Sequence, residues 1–234
     1  MKNTVLVLMA AACMASCAVK KPETNTHLTG NIKGFSNGML YLQKMNDSVV
    51  VTIDSIKVEG QSQFQFDFNL DSPEMVYLVV NRGVTKSIDN ELPIFAEPGT
   101  INVNTELNYF YANAKVTGSK NHELYEQFQK INTKFKNDEL AIGKERFDAI
   151  RFNRLQDVDS INKKLNDKTA RKYLYAINFA LTNKDKEVAP FVALTELTNA
   201  NPKYLDSINN SMTPPVASSK YGKLLRSFLK EQQQ

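Results

Sequence analysis

Cysteine and histidine are the residues of this chain best suited to covalent or metal chemistry, and each occurs only twice. The histidines, His27 and His122, are far apart in the sequence, and neither lies beside a cluster of other metal-ligating residues. Their spacing therefore predicts surface residues rather than a metal site or a histidine-activated nucleophile. The nine glycines are scattered, so there is no glycine-rich phosphate loop. From these residues we predict no cofactor and no metal.

The two cysteines, Cys13 and Cys17, lie in a segment with the three parts of a secretory signal. Lys2 is followed by an apolar run over residues 4–12, which is too short to cross a bilayer of roughly 30 Å. Residues 14–17, Met-Ala-Ser-Cys, resemble the bacterial lipobox. That resemblance implies cleavage before Cys17, acylation of its sulfur and new amine, and anchoring to a lipid bilayer. The alternatives are an ordinary signal peptide and an uncleaved N-terminal helix.

Removal of residues 1–16 would take Cys13 away, and lipidation would turn the Cys17 sulfur into a thioether. No thiol would then remain for a disulfide, a nucleophile, an iron–sulfur cluster or a thiolate zinc site. Residues 17–27 are polar and predict a flexible tether. We expect the body to face an extracytoplasmic compartment, and Ala18 resembles sorting signals for the periplasmic face of the outer membrane.

The charge of the expected mature chain is only mildly basic. Without Lys2 it holds 28 lysines and arginines against 25 acidic residues, and the two signs are interleaved along the second half. This balance is typical of a solvated surface and excludes a nucleic-acid footprint. The hydrophobic fraction of 42% is enough for a packed core, so wholesale disorder is excluded too.

One tripeptide, Asp-Ser-aliphatic, occurs four times. It resembles the acceptor motif for O-glycosylation of exported Bacteroidota proteins. The alternative is turn and cap chemistry, in which Asp and Ser side chains bind local backbone N–H groups. The candidate acceptors are Ser48, Ser55, Ser160 and Ser207.

Residues 28–118 predict β structure, because short runs rich in Val, Ile, Phe and Tyr alternate with turn signals. In residues 64–68 three phenylalanines alternate with polar residues, as in an antiparallel strand with one buried face. Many short strands at close spacing indicate a sandwich. Residues 82–92 predict a long polar loop.

From Ser119 the apolar period changes to that of helices. We expect a first helix with Leu124 and Phe128 inward, a second with Phe147 and Ile150 inward, and a third that uses Leu174. Later helices are expected to open at Pro190, at Pro202 and after a Ser218 cap. The second and third helices are predicted near residues 138–165 and 168–181. The fold class is thus α+β, an N-terminal antiparallel β-sandwich followed by a C-terminal helical region. The predicted domains are a signal (1–16), a tether (17–27), a sandwich (28–118) and a helical region (119–234).

A set of short motifs occurs in a recognisable order along the β region. By this order the chain resembles the module called domain of unknown function 4369, found at the N-terminus of many Bacteroidota lipoproteins related to thiol:disulfide interchange proteins. Residues 188–190 and 219–223 resemble the helices that usually follow that module. The motifs of the β region are residues 30–34, 38–42, 54–55, 60, 64–66, 73, 77–78, 95–99 and 116–121.

Fuller relatives continue into a thioredoxin-like domain with a Trp-Cys-x-x-Cys motif. This chain stops at Gln234, where that domain would begin, and it has no Trp. The relatives' oxidoreductase residues therefore have no counterpart here, and we do not expect a thiol:disulfide oxidoreductase. The resemblance suggests instead a separate extracytoplasmic thioredoxin-like partner, by fold-level analogy.

Three functions remain compatible with these residues. The first is a membrane-anchored, non-catalytic binding or scaffold module. The second is an envelope hydrolase with an unrecognised carboxylate site between the two halves, for which two convergent carboxylates in a deep pocket would be the sign. The third is an envelope stress or nutrient-uptake lipoprotein.

Overall fold

The computed structural model describes residues 23–232, apart from residues 47, 82 and 84–87, so Cys17 and the leader lie outside the described residues. The β half comes first and the helical half second, which confirms the α+β prediction. The strands are β1 (Thr26–Lys33), β2 (Asn37–Asn46), β3 (Val49–Glu59), β4 (Gln63–Phe68), β5 (Glu74–Asn81), β6 (Glu91–Ala96), β7 (Gly99–Glu106) and β8 (Lys115–Thr117). The helices are α1 (Lys120–Arg151), α2 (Leu155–Thr182), α3 (Val188–Glu196), α4 (Pro202–Ser211), α5 (Pro214–Ser218) and α6 (Lys220–Glu231).

The strands form two four-stranded sheets, in the orders β4-β1-β7-β8 and β3-β2-β5-β6. All pairs are antiparallel except β1 with β7, which run parallel with Leu28 opposite Ile101. A parallel neighbour needs a long crossover connection, and the chain from β2 to β6 supplies it. The sandwich is therefore mixed at this one pair, where the sequence predicted antiparallel strands throughout.

The first sheet contributes the aromatic face predicted for residues 64–68. Phe64, Phe66 and Phe68 are buried in one cluster with apolar side chains of both sheets. Leu40 and Leu42 of the second sheet lie in the same cluster and are fully buried. Each phenylalanine removes a large apolar surface from water, so this face contributes much of the sandwich's stability.

The second sheet is buried on both faces where β5 and β6 run side by side. Val76 and Ile94 face the sandwich core, whereas Met75 and Phe95 belong to a second cluster formed with the helices. Phe95 lies with its ring centroid 5.4 Å from that of Phe191 in α3. The helices therefore form a third layer on the outer face of this sheet.

Helices α1 and α2 form a long antiparallel hairpin, and this corrects the predicted helix boundaries. The predicted break near residue 138 is wrong: α1 continues without interruption to Arg151. The chain turns at residues 152–154, where Asn153 has a positive φ and Arg154 N–H donates to the Ala149 carbonyl over 2.7 Å. No proline stands near residue 138 to end the helix, and Gly143 lies within α1 without breaking it.

The longer helix changes which side chains face inward. Phe147 and Ile150, predicted to be buried, are 62% and 47% exposed, and Leu174 is exposed as well. Around Ile142, Ala149 and Ile161, the hairpin consists only of α1 and α2. An apolar stripe on either helix can therefore pack only against the other helix. These three residues form the small buried cluster of the hairpin.

The later helices agree with the sequence at one proline and differ at another. Pro202 is the first residue of α4, as predicted, and the structure shows Asn201 as its cap. Helix α3 instead begins at Val188, two residues before Pro190. Ser219 rather than Ser218 caps α6, because the unpredicted short helix α5 ends at Ser218. No helix in the described part of the chain is both long and apolar enough to cross a membrane.

Candidate functional site

An open cleft of about 800 Å³ lies where the second sheet meets the last helix. Strands β2 and β5 form one side, and α6 forms the other. The apolar side chains of the lining come from both halves of the chain and are Met45, Met75, Tyr77, Phe191, Tyr221 and Leu224. Clefts of this size with a few convergent polar groups are where ligands bind most often.

A buried carboxylate with two lysines lies at the base of the cleft. Glu74 is only 4% exposed, although it is charged. Lys44 Nζ donates to Glu74 Oε1 over 2.9 Å, and Lys220 Nζ donates to Oε2. Lys220 Nζ also donates to the Met45 carbonyl over 2.9 Å. A carboxylate can remain buried only when it is paired in this way.

The first turn of α6 holds Lys220 in place. The Ser219 side chain caps the helix by accepting from Gly222 N–H, and Lys220 N–H donates to Ser72 Oγ over 3.1 Å. The Tyr221 hydroxyl accepts from Met75 N–H at the start of β5 over 2.9 Å. Burial raises the pKa of Tyr221, so this hydroxyl is not a ready nucleophile.

The charge of the described lining is positive by one unit. Lys44, Lys220 and Lys223 face Asp71 and Glu74 around the cleft. Glu74 uses both of its oxygens to bind lysines, so it is not free to act as a general acid or base. Two convergent free carboxylates, the arrangement that a glycan or peptide hydrolase would need, are not what these described residues form.

His122 is another buried titratable group, and it joins the two halves of the chain at a different place. It is 3% exposed, and its Nδ1 accepts from Phe95 N–H over 3.2 Å. The Nε2 proton of the neutral ring then faces Glu126 Oε1 at 3.4 Å. Burial lowers the pKa of His122, although Glu126 and Glu123 oppose that shift. Both ring nitrogens thus have a partner. His122 was predicted to be a surface residue, but it is buried and connects α1 to β6.

A small pocket of about 210 Å³ borders His122 and is also lined by Tyr111, Tyr125 and Gln129. Burial raises the pKa of Tyr125 to about 12. The pocket therefore presents a neutral phenol and a histidine whose nitrogens are occupied. This arrangement is less suited to ligand chemistry than the larger cleft.

Glu97 and Asn121 join the starts of two helices. The N-cap of α1 is Ser119, whose Oγ accepts from His122 N–H over 3.0 Å. Glu97 adds to this cap by accepting from the backbone N–H groups of Lys120 and Asn121, over 2.9 Å and 3.2 Å. Asn121 Oδ1 accepts from Val188 N–H at the start of α3, and its Nδ2 donates to Glu97 and Glu187. These bonds satisfy N–H groups that a helix start leaves without partners. Glu97 is therefore a structural residue.

The sequence-predicted site residues are not brought together. Ser48 lies in the turn after β2, with a φ of 71°, and Ser55 lies on the edge strand β3. Ser160 and Ser207 lie on α2 and α4, where each Oγ donates to a backbone carbonyl of the preceding turn. All four serines are exposed. Cys17 lies outside the described residues.

His27 and the cleft lysines show the limits of local patterns. His27 lies in β1 rather than in a tether, with Nδ1 2.8 Å from Asp67 Oδ1. The sequence did not point to Lys44, Glu74 or Lys220, because no short motif joins them. In the part of the chain that the structure describes, no three His, Cys, Asp or Glu side chains are grouped so as to hold a metal ion.

The comparisons with known proteins bear on the β half. Residues 26–125 match the model of a family described as domain of unknown function (DUF4369). This part of the chain is a DUF4369 domain. The DUF4369 domain contains all eight strands and the first six residues of α1. Two of the three clustered cleft residues, Lys44 and Glu74, lie inside it, and Lys220 lies outside. Neither a curated protein nor a solved structure matches the chain.

Proposed function

We propose that this protein is a non-catalytic binding module of the cell envelope, and that its ligand lies in the cleft between the DUF4369 domain and α6. One observation carries the proposal: the Lys44–Glu74–Lys220 cluster at the base of an open cleft. A buried charge cluster is expensive to desolvate, and apolar residues of similar size often stabilise a fold as well or better. Its position at the base of a cleft is what favours a role in binding.

The lipid anchor is the second part of the proposal. The leader and the lipobox-like residues 14–17 support acylation of Cys17. The first strand begins at Thr26, so eight residues would separate the acylated cysteine from the fold. Fully extended, they span about 28 Å. The body would thus stay close to the periplasmic face of the outer membrane, within reach of a separate thioredoxin-like partner.

Hydrogen–deuterium exchange tests the binding role. The lipidated protein in detergent is measured alone and with fractionated envelope extract, both small molecules and proteins. We expect protection in residues 44–46, 71–77 and 218–227, which line the cleft, and no chemical change in the extract by mass spectrometry. Protection confined to other segments, or turnover of an extract component that depends on Asp71 and Glu74, would contradict a non-catalytic module.

Mutations of the cleft sharpen that experiment. Leu224→Trp would fill the cleft from α6, whereas Leu174→Trp changes an exposed leucine on α2 outside it. Both leucines are exposed, so both variants are expected to fold. Only the first should abolish the protection.

A further inference from the structure

We infer that the cleft binds a monoanionic amphiphile, whose anionic group lies against the ammonium groups of Lys44 and Lys220 and whose apolar part lies against Tyr77, Tyr221 and Leu224. The ligand class is a carboxylate or sulfonate on an aromatic or acyl body. This inference rests on the proposed function, since it names what the cleft binds.

The hydrogen bonds of the two lysines leave donors for such a ligand. Each ammonium group has three N–H donors. Among the described residues, Lys44 uses one for Glu74, and Lys220 uses two, for Glu74 and the Met45 carbonyl. The side chains of Lys44 and Lys220 are 32% and 29% exposed, whereas that of Glu74 is 5% exposed. The cations are therefore accessible from the cleft, and the carboxylate is not.

The buried carboxylate also sets the geometry of the cations. Because each Glu74 oxygen holds one lysine, the two ammonium groups are fixed on either side of a single carboxylate. A flexible lysine held in this way loses less entropy when it binds a ligand. One carboxylate neutralises one of the two cations, so one unit of positive charge is left for an anion.

The remaining lining selects against other classes of ligand. Lys223 adds a third cation, and Asp71 opposes it on the same cleft. A cation would be repelled, and a polyanion would bring more negative charge than one excess unit can balance. Met75, Tyr77, Phe191, Tyr221 and Leu224 form an apolar wall that a small inorganic anion would leave uncovered.

Two fluorescent dyes that differ by one anionic group test the inference. 8-Anilinonaphthalene-1-sulfonate carries a sulfonate on the ring system of neutral N-phenyl-1-naphthylamine. The probe protein is the chain from residue 18, which keeps every described contact of residues 23–232. We expect saturable binding of the sulfonate dye about 10-fold tighter than that of the neutral dye, as for one unit charge at about 6 Å and an effective dielectric of about 40. Exchange protection locates each bound dye.

Three variants separate an anion site from a purely structural cluster. Lys220→Met should weaken the sulfonate dye about 10-fold and leave the neutral dye unchanged, by the same Coulomb estimate. Glu74→Gln should tighten the sulfonate dye, because the gain of one unit of positive charge outweighs the looser hold on the two lysines, for which the amide oxygen can still accept a hydrogen bond. A purely structural role for Glu74 predicts the opposite, weaker binding of both dyes. Lys230→Met, an exposed lysine at the other end of α6, is the matched control and should change neither. Circular dichroism confirms the fold of each variant.

The outcomes distinguish the inference from the proposed function. Equal binding of both dyes in the cleft, or tighter binding of the neutral dye, overturns the anion inference while the binding role stands. If neither dye binds in the cleft and envelope extract gives no protection there, the proposed function fails with it. Weaker sulfonate binding by Glu74→Gln with a native spectrum also overturns the inference.

Discussion

Acid should weaken the contact between α1 and β6, because the hydrogen bond that His122 makes there requires a neutral imidazole. Its Nδ1 accepts from Phe95 N–H, and the side chain is almost fully buried. A protonated imidazole has no lone pair on either nitrogen. Protonation would therefore break the Phe95 bond and place a charge in a poorly solvated site. Glu126 and Glu123 of the same helix would offset part of this, and Tyr125 and Tyr111 would add no charge.

The sign and size of the effect follow from proton linkage. Burial lowers the pKa of His122 below its ordinary value in the folded state. In the unfolded chain it returns to about 6.5. Above that value neither state binds the proton, so His122 adds no pH dependence. Below it the unfolded state binds the proton first, and the free energy of unfolding falls by up to about 1.4 kcal/mol per pH unit until the folded pKa is reached.

Denaturant unfolding of two matched proteins measures this. His122→Asn keeps an oxygen that can accept near the position of Nδ1, but it does not titrate. Both proteins carry His27→Asn, which removes the other histidine. Between about pH 7.5 and about pH 5.5, the protein that keeps His122 should lose up to about 1.4 kcal/mol more than the protein with His122→Asn. The carboxylates common to both cancel in the difference. Parallel pH profiles, or a larger loss in the His122→Asn variant, would refute the reasoning.

Four further changes test the fold and the modifications. Gly222→Ala should destabilise by about 1–3 kcal/mol, because a Cβ there would lie 2.1 Å from the Val216 carbonyl oxygen. The control Gly143→Ala, in a helix with open space around it, should stabilise by about 0.5–1 kcal/mol; equal effects in thermal unfolding would contradict the contact. Glu97→Ala should lower the unfolding free energy by about 1–2 kcal/mol, because the N–H groups of Lys120 and Asn121 lose their acceptor while the Ser119 cap of α1 remains; an unchanged denaturation midpoint would count against this role of Glu97. Cys17→Ser should abolish fatty-acid labelling of the protein and remove the protein from the membrane fraction. Retained label would rule out lipidation at Cys17. Protein from the native host should lose mass beyond the four oxygens when all four acceptor candidates become alanine, and a mass change of the oxygens alone would exclude glycosylation. They are Ser48, Ser55, Ser160 and Ser207.

The β half could be predicted from the sequence because its signals are local. Alternating side chains such as Phe64, Phe66 and Phe68 report one buried face over a few residues, and turn residues mark the strand ends. The parallel pairing of β1 with β7 could not be seen in this way, since it joins Leu28 to Ile101 across five other strands. Pairing partners depend on the whole topology and leave no trace within either strand.

The helix boundaries of the second half were harder to predict, because apolar spacing shows which face of a helix is buried but not where the helix ends. Apolar residues at helical spacing occur on both sides of residue 138, and nothing there breaks the helix. The actual turn depends on Asn153 in a left-handed conformation, one of the few residues that tolerate it. Phe147 and Ile150 lie in the far part of the hairpin, where only α1 and α2 pack against each other. Their apolar character therefore did not imply burial.

The candidate site escaped prediction for a different reason. Lys44, Glu74 and Lys220 are 30 and 146 residues apart and come from two strands and a helix. The sequence of β5 held one indirect signal. Residues 75–80 are all apolar or aromatic, with Tyr77 as the one side chain that carries a polar group. Such a run is expected for a strand covered on both faces. That pattern indicates that another layer covers β5. It does not indicate that the covering layer contributes Lys220.

The division of the site between the two halves has a consequence for what determines the ligand. The DUF4369 domain supplies the buried carboxylate and one cation, Glu74 and Lys44, which form a neutral pair, and it also supplies Asp71, so its share of the lining is negative by one unit. Lys220 and Lys223, which make the lining positive, come from α6 outside the matched residues. The excess charge therefore belongs to the helical half, while the carboxylate that orients it belongs to the domain. A chain with the same domain but a different element over β5 would keep the Lys44–Glu74 pair and lose the anion preference, so the segment after the domain sets the sign of the ligand.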